Sequence, residues 1–201
     1  MLRFLRKKTP EERFWNWFTL NSRRVFRFAA DQEQIFNELS ERLAKLHPSM
    51  CFEFGPEVSG RREFIVSADG DREAFQAVQA LVGAAPSYSE WLIIEFQPAK
   101  NVNDSWKVTY GNTTLSVDDV WFSYERENSL IHVDLYIQGH RPDEDVEFGS
   151  AAYLLLDLAL GEYVVETRIG GIARHALPPD PESLGLIPFR KIVEVVQTPI
   201  H

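Results

Sequence analysis

Leu130-Ile-His-Val-Asp-Leu-Tyr-Ile137 decides how this chain is read. Ile131, Val133, Leu135 and Ile137 fall on one side of an extended backbone, and His132, Asp134 and Tyr136 fall on the other. That alternation marks a strand with one buried face. Upstream, Trp121-Phe-Ser-Tyr-Glu-Arg126 is rich in β-formers, and the short polar link Glu127-Asn-Ser129 predicts a hairpin. Downstream, Pro142-Asp-Glu-Asp145 supplies a turn and a helix N-cap. The run Val146 to Leu160 then spaces Phe148, Ala152, Leu155, Leu156 and Ala159 as one helical face. Gly161 reads as the helix stop, Tyr163 to Ile169 as a third, β-branched strand, and Gly170-Gly171 as its closing turn.

An earlier stretch repeats this order of elements. Cys51 to Phe54 and Glu63 to Val66 flank a Gly- and Pro-containing turn, and Asp69-Gly-Asp71 leads into a helix with Phe75, Val78, Leu81 and Val82 inward. Trp91 to Phe96 is the third strand. Two ββαβ units in the ferredoxin-like style follow: an α+β fold of antiparallel sheet with helices on one face, preceded by two amino-terminal helices. The expected division is 1–99 and 100–201, either as one continuous sheet or as two halves. The segment 98–120 connects them and carries an extra hairpin or a short helix, with Tyr110-Gly-Asn112 as a turn.

The two leading helices have their own signals. Thr9-Pro-Glu-Glu12 has the form of a capping box with proline at the first helical position. Phe14, Trp15, Trp17 and Phe18 follow, a ring density that belongs to a core or to an interaction helix. Asp31 to Gln34 opens the second helix, whose stripe is Ile35, Leu39, Leu43 and Leu46. Near the end of the chain, Pro188 starts a short helix with Phe189, Ile192, Val193 and Val196 at helical spacing.

Composition bounds the function. Of 201 residues, 44% are hydrophobic and 25% charged, with a net charge of −9. Through Phe28 there are eight Lys and Arg against two Glu, so the basic amino end and the acidic remainder are expected to attract one another. The polar strand faces carry Glu53, Glu63, Glu95, Asp134 and Glu166, which repel phosphate, so nucleic acid is not an expected ligand. One cysteine, Cys51, excludes an internal disulfide framework and a cysteine-rich zinc site. No window approaches a membrane span and the start lacks a signal-peptide core, so the expected location is cytoplasmic.

Candidate chemistry is sparse. His132, Asp134 and Tyr136 share a strand face, and Glu166 and Arg168 approach them if the next strand pairs there. A histidine with two carboxylates is a conceivable metal or acid–base site, against a solvated sheet face of crossed charges. His47 and Cys51 are four apart, but Pro48 interrupts the helix that would align them. Phosphate-binding loops and hydrolase and metalloprotease fingerprints are absent. No catalytic residue, cofactor or metal is therefore assigned.

Phe14-Trp-Asn-Trp-Phe18, Phe52-Glu-Phe-Gly-Pro56, Arg62 to Asp69 and Leu158 to Glu166 together resemble a set of uncharacterised bacterial proteins. The resemblance covers most of the chain and implies no activity, cofactor or site residue. The leading expectation is a small acidic protein that binds another protein as a regulator, adaptor or immunity-type inhibitor, and a homo-oligomer is compatible with it. The alternative is an enzyme or small-ligand binder using the His132, Asp134 and Glu166 face.

Overall fold

The computed structural model describes residues 7–101, 106–141, 143 and 145–198 and is a mixed α+β structure. Its contacts divide the chain into two units, Met1–Phe96 and Gln97–His201. Arg3 and Arg6 of the basic arm, Val102 to Asp104 of the connector loop, and Pro142 and Glu144 of the turn before the long helix lie outside the described residues.

In the first unit, α1 (Pro10–Phe26) starts at the capping box: Glu12 N donates to Thr9 Oγ1 at 3.2 Å, and Thr9 N donates to Glu12 Oε2 at 2.9 Å. α2 (Gln32–Ala44) buries Ile35, Leu39 and Leu43. β1 (Cys51–Val58) and β2 (Arg61–Ser67) form an antiparallel hairpin. Its two-residue turn, Ser59 (φ 53°) and Gly60 (φ 76°), has the positive φ pair that matches strand twist. α3 (Phe75–Gly83) then crosses over to β3 (Trp91–Glu95), which runs parallel to β2. Phe54 opposite Phe64 and Phe52 opposite Val66 give this sheet an apolar face, on which Phe14, Phe18, Leu39, Val78 and Leu81 pack. The two buried indoles are satisfied, Trp15 Nε1 by Leu81 O at 2.7 Å and Trp91 Nε1 by Ser22 Oγ at 2.9 Å.

In the second unit, β4 (Lys107–Tyr110) and β5 (Thr113–Ser116) form a separate hairpin and a 3₁₀ turn, Val117–Asp119, follows it, so the connector carries both a hairpin and a short helix. β6 (Val120–Glu127) and β7 (Leu130–Ile137) pair antiparallel, and the alternation of β7 holds in space: Ile131, Val133, Leu135 and Ile137 are buried. α4 (Asp145–Leu160) covers that face with Phe148, Ala151, Ala152, Leu155, Leu156 and Ala159. After α5 (Glu162–Arg168), β8 (Ile169–Ala176) runs parallel to β7. The short β9 (Ile187–Pro188) pairs with β6, and α6 (Ile192–Gln197) closes the unit, giving the strand order β8-β7-β6-β9.

Three expectations are corrected. Both larger sheets are mixed, not antiparallel, because a strand reached by a helical crossover returns in the direction of the strand it left. Tyr163–Ile169 is not the third strand: Glu162 to Arg168 is helical despite Val164, Val165 and Thr167. Gly161, at φ 81° and ψ 147°, turns the chain between two helices. Glu162 is then fixed by Gln97, since Glu162 N donates to Gln97 O and Gln97 N donates to Glu162 Oε2, both at 3.0 Å. Gly170-Gly171 is consequently no closing turn but part of β8, where the β7–β8 register shifts between Ile131 and Val133. Among the described residues no single helix is long and apolar enough to cross a membrane, although the bent pair of α4 and α5, 108° apart, has the combined length.

Candidate functional site

The polar face of β7 holds His132, Asp134 and Tyr136 as read from the alternation, but their neighbours differ from those expected. His132 lies against the Gly170-Gly171 backbone, where a Cβ on Gly170 would come within 2.7 Å of the ring, and sits 3.4 Å from Glu127 Oε2. Asp134 Oδ1 is 2.9 Å from His175 Nε2, and the His175 ring stacks on Tyr136 at 4.9 Å between centroids. Glu166 and Arg168 sit on α5, away from any ladder: Glu166 accepts a hydrogen bond from Tyr153, and Arg168 Nη1 donates to Val196 O at 3.4 Å. His175 takes the place intended for Glu166, and the signal for it was Ile169-Gly-Gly-Ile-Ala-Arg-His-Ala176 read as strand. His132, Asp134 and His175 side chains are 40 to 46% exposed. Their pairings are those of a solvated sheet face, and among the described residues no three His, Cys, Asp or Glu side chains converge on one point as metal ligands.

The rings of α1 serve packing. Phe14, Trp15 and Phe18 are 3%, 3% and 0% exposed, while Trp17, one position out of the stripe, is half-buried with the Arg42 guanidinium 4.2 Å from its ring centre. Helix phase decides this: Phe14, Phe18, Ser22 and Val25 face the sheet, with Trp15 beside them on Leu81.

A charge cluster of the second unit is at the start of α4. Asp145 Oδ1 accepts from Arg174 Nε at 2.9 Å and Oδ2 accepts from Arg174 Nη2 at 2.7 Å, a bidentate pair, and His140 Nε2 lies 2.9 Å from Oδ1. The Arg174 contact first, then His140, holds the Asp145 carboxyl well below the usual carboxylate range. Because the folded pKa is depressed, the stabilisation is fully present above the unfolded value of about 3.9 and is lost as pH falls from there towards the folded value. Asp145→Asn should therefore lower the urea midpoint at pH 6 to 7 and converge on the parent protein as pH falls below about 4. A difference that stays constant from pH 7 to 3 would show that the carboxylate charge is irrelevant.

Where the end of α1 meets the turn end of the β1–β2 hairpin, the first unit has a groove. One lobe, about 620 Å³, lies between Phe26, Arg27, Phe28 and the pair Glu57 and Arg62. A second, about 430 Å³, shares Phe26, Arg27 and Glu57 and extends to Arg23 and Glu90. Both volumes are in the range of ligand clefts. The Arg62 guanidinium lies 5.0 Å from the Phe28 ring centre and 5.4 Å from that of Phe26, with its side chain only 17% exposed. Its Nη1 donates to Gly55 O at 3.0 Å. β1 bulges beside it, its register shifting between Phe54 and Glu57 across Pro56, a residue that cannot donate to a ladder. Glu57 thereby stands 4.0 Å from Arg62 Nη2. Arg23 and Arg27, one helical turn apart, are exposed, and neither forms an ion pair among the described residues. Such a placement also suits the negative end of the helix dipole. No family model, no curated protein and no solved structure matches this chain.

Proposed function

We propose that this protein works by binding another protein, as a regulator, adaptor or immunity-type inhibitor, and that the groove between α1 and the β1–β2 hairpin is its contact surface. The observation that carries this reading is the groove's sign and lining. Three arginines and two phenylalanine rings meet at a concavity in a chain of net charge −9, and two of the arginines have no ion-pair partner among the described residues. Aromatic and arginine side chains are what protein contact centres favour, because they bring large contact areas and directional donors. Catalysis is not part of the reading. Glu166 is hydrogen-bonded to Tyr153 from a helix, which removes the third member of the acid–base set proposed around His132 and Asp134.

At the level of fold, we propose that the two units are a ferredoxin-like ββαβ pseudo-repeat. In its favour, each has an antiparallel hairpin whose second strand takes a parallel third strand after a helical crossover. A cytoplasmic location is supported by the lone cysteine, and the carboxylates on the strand faces argue against nucleic acid.

The experiment is affinity capture from the native cell with the full chain and with Arg23→Ser/Arg27→Ser, whose altered side chains are exposed and do not carry the core. The parent protein should retain a stoichiometric protein that the variant loses. Equal retention by both would remove the groove from the interface, and retention of nothing by either would sink the binding-module reading.

A further inference from the structure

We infer that the groove takes a carboxylate carried next to an aromatic ring, as presented by an extended acidic-aromatic segment of a protein partner, and that Glu57 occupies the position of that carboxylate in the free protein. The inference rests on the groove being the binding surface and goes on to name what binds there.

Arg62 is only partly paired among the described residues. Of the donors on its guanidinium, Nη1 has Gly55 O, the buried Nε has no hydrogen-bond partner among the described residues, and Nη2 is 4.0 Å from Glu57 Oε2, beyond hydrogen-bonding reach. Two phenyl faces and the Gly55 carbonyl hold its plane in a fixed orientation, so little side-chain freedom remains to be lost when an acceptor arrives. A carboxylate that reaches Nη2 gains a charge-assisted hydrogen bond that the present Glu57 contact does not make. Glu57 is half-exposed on the bulged part of an edge strand, so it is free to swing out.

The charge count selects the ligand. Arg23, Arg27 and Arg62 against Glu57 and Glu90 leave one positive charge across the two lobes, and two once Glu57 swings out, so the groove selects an anionic side chain. The rings of Phe26 and Phe28 provide the apolar wall against which a ligand ring packs. Two lobes that share Phe26, Arg27 and Glu57 suit a chain running from one to the other, with its carboxylate at Arg62 and its continuation past Arg27 and Arg23.

The test is titration of the isotope-labelled full chain, followed by NMR, with an acetylated and amidated short peptide in which phenylalanine adjoins a single aspartate. Parallel arms use the same peptide with asparagine for the aspartate, the same peptide with alanine for the phenylalanine, and inorganic phosphate. The peptide should shift resonances of residues 26–30 and 57–62, and either replacement should weaken it about tenfold or more. Arg27→Ser should weaken it about tenfold, and Glu57→Gln, which removes the internal competitor, should tighten it several-fold, by roughly the worth of a displaced ion pair. Both substitutions are at exposed side chains, so the fold is retained. Shifts centred elsewhere, unchanged affinity in Glu57→Gln, or phosphate binding as tightly as the peptide would each overturn the inference. Should Arg23→Ser/Arg27→Ser lose a captured partner while the aspartate and asparagine peptides bind alike, the ligand class is wrong and the binding-module reading stands. Failure of both experiments removes both.

Discussion

Phe64→Ala is expected to lower the stability of the first unit by about 3–5 kcal/mol, the upper range for a buried ring cut back to a methyl group. Phe64 is 0% exposed in the middle strand of its sheet. Its ring centre is 5.1 Å from Phe18, 5.5 Å from Phe54, 5.9 Å from Phe52 and 6.3 Å from Phe14. Those neighbours are held by two different elements, α1 and β1, and each has other ring partners, so they cannot move together into the space vacated. The lost transfer free energy is then joined by the full cost of a cavity. Against a total stability of about 5–15 kcal/mol for an ordinary domain, the loss is large. Urea unfolding followed by circular dichroism measures it. A loss under about 1 kcal/mol would mean that the ring layer repacks freely.

Gly161→Ala should cost about 3 kcal/mol or more, although it adds one methyl group. At φ 81° and ψ 147° the backbone sits where side-chain-bearing residues are strained. The new Cβ would also stand 2.8 Å from Ala99 N and 3.1 Å from Gln97 O, both backbone atoms. Pushing Gln97 away would break the reciprocal pair with Glu162 and leave a carboxylate that is 3% exposed without the Gln97 amide. Gly83→Ala is the internal control: that glycine is the last residue of α3, and among the described residues nothing lies within 4 Å of an added Cβ. It should be neutral or slightly stabilising. If the two substitutions had equal effects in thermal unfolding, the turn at Gly161 would be softer than its geometry implies.

What the sequence made legible was local. The alternation of β7 and the stripe of α4 carry their period in consecutive residues, so both survive in space. The capping box at Thr9 is likewise complete within four residues. The α5 segment was misread because its β-branched composition favours a strand, and the deciding contact, Gln97 with Glu162, joins residues 65 apart. That one error moved Glu166 and Arg168 off the candidate face and hid His175, since the identity of the third strand determines which side chains lie beside Asp134. The groove was hidden for a related reason. Arg62 reads as an ordinary charged strand residue, and only the meeting of the end of α1 with the hairpin places it over Phe26 and Phe28.

The layer of rings between α1, α2 and the first sheet has an optical consequence. Phe18, Phe26, Phe54 and Phe64 all lie 5.3 to 6.3 Å from Trp91, and each is fixed in one asymmetric orientation by its neighbours. Aromatic chromophores give near-ultraviolet circular dichroism only while their surroundings stay fixed, whereas the far-ultraviolet signal needs no more than hydrogen-bonded backbone. In the first unit, loosening of the core is therefore visible as a loss of near-ultraviolet ellipticity before helix and strand are lost.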